Sequence, residues 1–158
     1  MGTRCKIGYK ESTKDKLSEC FYKLKGNAIT ATYCHYDGYL DGVGSKLLAH
    51  YSDPQLAYDL STVGYITALH ETMKESIEQS YDPVTPPYTP EFYSCIDEYK
   101  EEIDYVDFLY LYDLGKKTWQ YYTQVVTTIE SLSKKYKPKR LGDFVDIPDP
   151  TINHNLNN

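Results

Sequence analysis

Two histidines, two aspartates and a lysine fall within sixteen residues, His35, Asp37, Asp41, Lys46 and His50, and are the side chains here best spaced for chemistry. They flank or occupy Asp37 to Gly44, which holds three glycines in eight residues. A strand, a glycine loop and a helix in that order offer free N–H groups and a positive dipole end to a phosphate. The phosphate-loop pattern fails in detail, because Gly44-Ser45-Lys46 reverses the required Lys-Ser order and Val43 stands where a glycine is needed five after Gly38. Asp37 and Asp41 would also repel an anion, whereas they suit a ribose or a guanidinium. His35, Asp37 and His50 form a donor set for a divalent transition metal. The simpler account has His35 bonding to the loop and Asp41 capping the following helix. A Cys34–His35 thiol–imidazole pair is strongly disfavoured, because neighbours on a strand point to opposite faces.

A second concentration of chemistry is acidic. Net charge is −6, but residues 1–27 carry +4, residues 28–115 carry −13 and residues 116–158 carry +3. Glu91 to Asp113 holds eight carboxylates against Lys100 alone, among them Asp97, Glu98, Glu101, Glu102 and Asp104. Segregation of this kind shapes fields that act on partners. Eighteen tyrosines accompany it, with Tyr105, Tyr110, Tyr112, Tyr121 and Tyr122 in the late part and Tyr33, Tyr36 and Tyr39 around the loop. They read either as sheet packing or as a rigid recognition surface. Direct nucleic-acid binding is disfavoured beside so many carboxylates. An acidic, aromatic face is suited instead to occupying a protein's basic nucleic-acid groove. A solvated helix face is the plainer account of the acids.

The elements that must position these residues are legible in outline. Gly2 to Tyr9 and Ala28 to Tyr36 alternate as strands, with a helix between them carrying Leu17, Cys20, Phe21 and Leu24. A helix with Val43, Leu47, Leu48 and Tyr51 follows the loop. Asp53-Pro54 then starts another that buries Leu56, Leu60 and Val63 and stops at Gly64. Ile66, Leu69, Met73 and Ile77 predict a further helix, and four prolines in Tyr81 to Pro90 predict a surface crossing. Phe92, Ile96, Tyr99 and Ile103 predict one more helix. Tyr105 to Tyr112 and Thr118 to Thr123 predict a hairpin, and Val126, Ile129, Leu132 and Tyr136 a last helix. The fold class expected is α+β, a mainly antiparallel sheet of about four strands, two early and two late, packed with several helices. Residues 1–140 read as a single domain and 141–158 as an extended or flexible tail.

No run nears the ~18 apolar residues of a membrane span, and no apolar region follows Met1, so a cytoplasmic protein without a membrane partner is expected. Cys5, Cys20, Cys34 and Cys95 lack zinc spacing and read as buried free thiols. No catalytic motif is complete, and no metal or cofactor is expected.

Tyr33-Cys34-His35-Tyr36-Asp37-Gly38-Tyr39, then Val43-Gly44, Leu47 and His50-Tyr51, resembles a family of small proteins encoded by bacteriophages and prophages. The family pattern runs Tyr-Cys-His-Trp-Asp-Gly-Tyr-Pro, then Val-Gly and Leu-Leu-x-His-Tyr. This chain has Tyr36 in place of the tryptophan and Leu40 in place of the proline. The match covers Ile29 to Leu69, and the late hairpin matches more loosely. The resemblance implies a phage accessory protein in the cytoplasm of an infected bacterial host. By analogy with such proteins, the expected function is non-enzymatic inhibition of a bacterial defence component, a CRISPR effector or other nuclease, through the acidic tyrosine-rich face. One alternative is a nucleotide-signal-sequestering protein, as a homo-oligomer, using His35 to Lys46 with Tyr36, Asp37, Tyr39 and Asp41. The other is a small metal-dependent hydrolase built on His35, Asp37 and His50.

Overall fold

A computed structural model describes residues 3–10, 28–80, 89–125, 139–140 and 143–148. The expected helix around Leu17 to Leu24, most of the proline-rich crossing and the helix from Val126 to Tyr136 lie outside the described residues.

The four expected strands are present as β1 (Cys5–Lys10), β2 (Ile29–Cys34), β5 (Phe108–Asp113) and β6 (Thr118–Val125). Their order is β2-β1-β5-β6, and the expectation of a mainly antiparallel four-stranded sheet fails at its centre. β1 runs antiparallel to β2 (Cys5 opposite Cys34) but parallel to β5 (Cys5 opposite Phe108), while β5 and β6 form the expected hairpin. Short strands extend both sides. β3 (Tyr65–Ile66) and β4 (Glu91–Tyr93) share the outer edge of β2, one parallel and one antiparallel. β7 (Lys139–Arg140) and β8 (Val145–Asp146) pair with β6. The sheet is therefore mixed. Side-chain alternation has the same period in both pairing senses, so the pattern of β1 and β5 alone does not set their direction.

Both faces of the sheet are covered, which is the condition for a parallel pair. On one face Cys5, Ile7 and Tyr9 of β1 join Tyr110, Tyr112 and Trp119. That layer is closed by Leu47 of α1 (Ser45–His50) and Ala57 and Leu60 of α2 (Pro54–Ser61). On the other face Ile29, Ala31, Leu109, Leu111 and Tyr122 meet Tyr99 of α4 (Ile96–Glu101), Ile103 and Phe144. Phe144 and Ile147, which fall in the expected tail, are both buried against the sheet.

Local chemistry explains the helix starts. Asp53 accepts hydrogen bonds from the Gln55 and Leu56 amides with Pro54 at the first helical position, and Gly64 takes φ 99° beyond the end of α2. Thr72 caps α3 (Met73–Glu78) through the Glu75 amide, and Glu75 reaches back to the Thr72 hydroxyl.

Several helical expectations yield to tertiary pairing. Ile66 lies in β3 and Leu69 in irregular chain, because the free edge of β2 recruits Tyr65–Ile66 as a strand. Ile77 and Leu56 are exposed where they were expected to be inside. Phe92 lies in β4 and not in a helix, and Tyr105 precedes β5 and faces solvent.

Candidate functional site

The loop after β2 is a fastened turn. Asp37 takes φ 60°, a left-handed conformation that aspartate adopts more readily than most residues. Leu40–Gly44 then form one π-helical turn leading into α1. The Gly38 amide donates to the Thr3 carbonyl at 2.7 Å, the Tyr110 hydroxyl donates to the Gly38 carbonyl at 2.6 Å, and the Val43 amide donates to the Asp37 carbonyl at 2.9 Å. The glycines are explained by close approach, since a Cβ on Gly38 would lie 2.7 Å from the Thr3 carbonyl oxygen. Burial pushes the Tyr110 hydroxyl well above its ordinary pKa, so it stays a donor.

Each polar side chain of the loop has a definite place. His35 Nδ1 lies 2.9 Å from the Tyr33 hydroxyl, and its ring packs edge-on to exposed Tyr36. Lys46 Nζ donates to the Leu69 carbonyl at 2.9 Å, which ties α1 to the chain after β3 and takes that ammonium away from any phosphate role. Asp41 is exposed and makes no side-chain capping bond, so the expected cap is not formed. His50 is exposed at the end of α1. Among the described residues no three His, Cys, Asp or Glu side chains converge as metal ligands. The metal-dependent alternative has no donor set there.

The acidic block divides into working and open carboxylates. Lys6, 6% exposed, holds Glu91 at 2.7 Å, the Tyr93 hydroxyl at 2.9 Å and Glu102 at 3.1 Å, and the Tyr93 hydroxyl donates to Glu91 at 2.6 Å. This cluster clips β4 and the turn after α4 onto β1. Sequence reading missed it, because nothing local marks Lys6 as an inward residue of an alternating strand. Glu98 accepts from the Ser94 amide at 2.7 Å and so steadies the start of α4. Asp97 and Glu101 are exposed and four residues apart on one helical face. Lys100, the block's one cation, pairs with Asp143 at 3.2 Å.

Burial opposes ionisation of Glu91, but the Lys6 and Tyr93 hydrogen bonds outweigh it and hold the carboxyl below its ordinary 4.5. A carboxyl whose pKa is depressed on folding contributes stability above the unfolded value that is lost as pH falls through the folded one. Lys6→Met is expected to cost about 2 kcal/mol at pH 7, because both glutamates keep partial access to water. The same variant should flatten the loss of stability below about pH 4.5, read as urea midpoints across pH. A cost under ~0.5 kcal/mol would show the clip to be inert.

The tyrosines divide the same way. Tyr110, Tyr112 and Tyr122 are buried, with Tyr112 stacked on Tyr9 at 5.7 Å, so these belong to the core. Tyr36, Tyr39 and Tyr105 stay exposed, Tyr105 at 69%. The fold brings two of them together from distant segments. An open cleft of about 590 Å³ lies at the start of β1 and β5, lined by Thr3, Arg4, Tyr39, Asp104, Tyr105, Asp107 and their neighbours. Within it Asp107 Oδ2 accepts from the Arg4 amide at 2.9 Å. The loop and the acidic block thus share one surface feature, although their side chains lie more than sixty positions apart in sequence. Arg4, Asp107 and Thr3 carry no sequence signal for it.

No protein-family model, curated protein or solved structure matches this chain. The likeness to the phage family rests on the motif residues alone. No helix among the described residues is long and apolar enough to cross a membrane.

Proposed function

We propose that this protein is a phage accessory protein that acts by binding, inhibiting a bacterial defence component such as a CRISPR effector or other nuclease through its acidic, tyrosine-bearing face. The observation that supports this reading is the exposure of Tyr105 and Phe92 (71%) in the same segment as the open carboxylates Asp97 and Glu101. Large aromatics supply rigid contact area, and exposed carboxylates favour a basic partner surface. The cytoplasm of the infected host is where such a target resides. The nucleotide-sequestering alternative is weakened by the engagement of Lys46 with Leu69.

The test is capture of host protein by the tagged chain. The variant Asp97→Lys with Glu101→Lys is expected to lower capture tenfold or more, since like charge across an interface repels. Glu98 and Glu102 are left unchanged because both serve the fold. Capture at the wild-type level by the doubly reversed chain would remove the acidic-face reading.

A further inference from the structure

We propose that the cleft between Tyr39, Arg4 and the Asp104–Asp107 turn is the receptor for a cationic side chain, an arginine of a basic segment on the partner. This rests on the binding role assigned to the acidic face and names what that face grips. The volume, about 590 Å³, lies in the range of small-ligand sites, and the cleft is open enough to admit a side chain still attached to its backbone. Among the described residues its charged lining has two carboxylates, Asp104 and Asp107, against one guanidinium, Arg4. One wall, Ile103 to Phe108, belongs to the most acidic stretch of the chain, while Thr3 and Arg4 come from the basic N-terminal block. An anion would enter against that field, whereas a guanidinium enters with it.

The aromatic lining points the same way. Tyr39 and Tyr105 are 43% and 69% exposed and both border the cleft. A cation over a tyrosine face gains from the ring quadrupole, and a planar guanidinium also stacks. Both tyrosines stand on fixed backbone. The Tyr39 carbonyl accepts from the Gly42 amide at 3.0 Å, and the Tyr105 amide donates to the Glu102 carbonyl at 2.9 Å. Asp107 is oriented by the Arg4 amide, and its own amide donates back to the Arg4 carbonyl at 2.9 Å. The backbone beneath both rings and the Asp107 carboxylate are therefore set before a ligand arrives, which reduces the ordering cost of binding.

The probes are a short acetylated Gly-Arg-Gly-Arg-Gly amide, the same peptide with citrulline for arginine, and adenosine monophosphate, each titrated into the full chain and followed by backbone amide signals. The arginine peptide is expected to shift Tyr39, Tyr105 and Asp107, and the citrulline peptide to leave them in place. Tyr105→Ala and Asp107→Asn should each weaken the arginine peptide at least fivefold. Asp107→Asn keeps an oxygen to accept from the Arg4 amide, so an unchanged spectrum elsewhere reports an intact fold. Equal binding of the citrulline peptide, or adenosine monophosphate binding the same residues more tightly, overturns the inference. The two levels separate in capture. Loss with Asp97→Lys and Glu101→Lys but none with Tyr105→Ala and Asp107→Asn overturns the cleft and keeps the acidic face. Loss only with the cleft pair supports the cleft and removes the α4 face.

Discussion

Trp119→Ala is expected to destabilise the protein by about 3–5 kcal/mol, the range for truncating a buried tryptophan. Trp119 is the chain's one tryptophan and is fully buried between the sheet and the helices on the α1/α2 face. Its indole N–H donates to the Tyr51 carbonyl at 2.9 Å, and its ring meets Tyr112 edge-on at 5.2 Å between centroids. Its carbonyl also accepts from the Ile147 amide. Truncation leaves a cavity and an unpaired buried carbonyl together, and these add. Since domains are stable by roughly 5–15 kcal/mol in all, the loss is a large share of the whole. Urea unfolding followed by circular dichroism measures it, because the variant has no indole to report. Val145→Ala, in β8 opposite Tyr121 of β6 and 42% exposed, should stay within about 0.5 kcal/mol. A loss under ~1 kcal/mol for Trp119→Ala would mean that this layer is loosely packed.

Gly42→Ala carries the next largest expected effect, about 3 kcal/mol. The added Cβ would press on the Asp37 carbonyl oxygen, which is backbone and already accepts from Val43, and would stand 3.2 Å from the Tyr39 ring. Neither neighbour is the free end of a long side chain, so the π-helical turn must deform. Gly115→Ala is the control, because its Cβ would meet only Asp113 Oδ1, at 3.3 Å in an exposed turn. Its cost should stay below about 1 kcal/mol. Thermal unfolding of both variants separates two accounts of the motif. If the loop glycines exist for a ligand's approach, Gly42→Ala keeps its stability and loses binding. If they exist for the turn, stability falls first.

Strand existence was legible because period-2 alternation is a short-range signal, and the β5–β6 hairpin because its turn is local. Asp113 Oδ1 accepts from the Gly115 amide at 2.9 Å and Lys117 takes φ 53°. The Asp53-Pro54 start of α2 was legible for the same reason, while its end comes at Ser61, with Thr62 as cap, before the expected stop at Gly64. The helix expected around Ile66 was not, since its apolar spacing fits a helix while the neighbouring edge of β2 favours pairing. Of the site, the sequence indicated the loop, the acids and the tyrosines but not which of each were engaged. Glu91 and Glu102 look like Asp97 and Glu101 in the chain, and only Lys6 on a strand 85 and 96 positions away distinguishes them.

By itself, then, the sequence determined the four main strands, the capped start of α2, the tight turn after β2 and the segregation of charge, all of them properties of neighbouring residues. The tertiary structure alone decided that β1 and β5 run parallel and that Lys6 neutralises part of the acidic block. It also decided that Tyr39 and Tyr105 line one cleft. Those outcomes depend on contacts between residues tens of positions apart, chosen by burial of both sheet faces, and no local pattern encodes the choice.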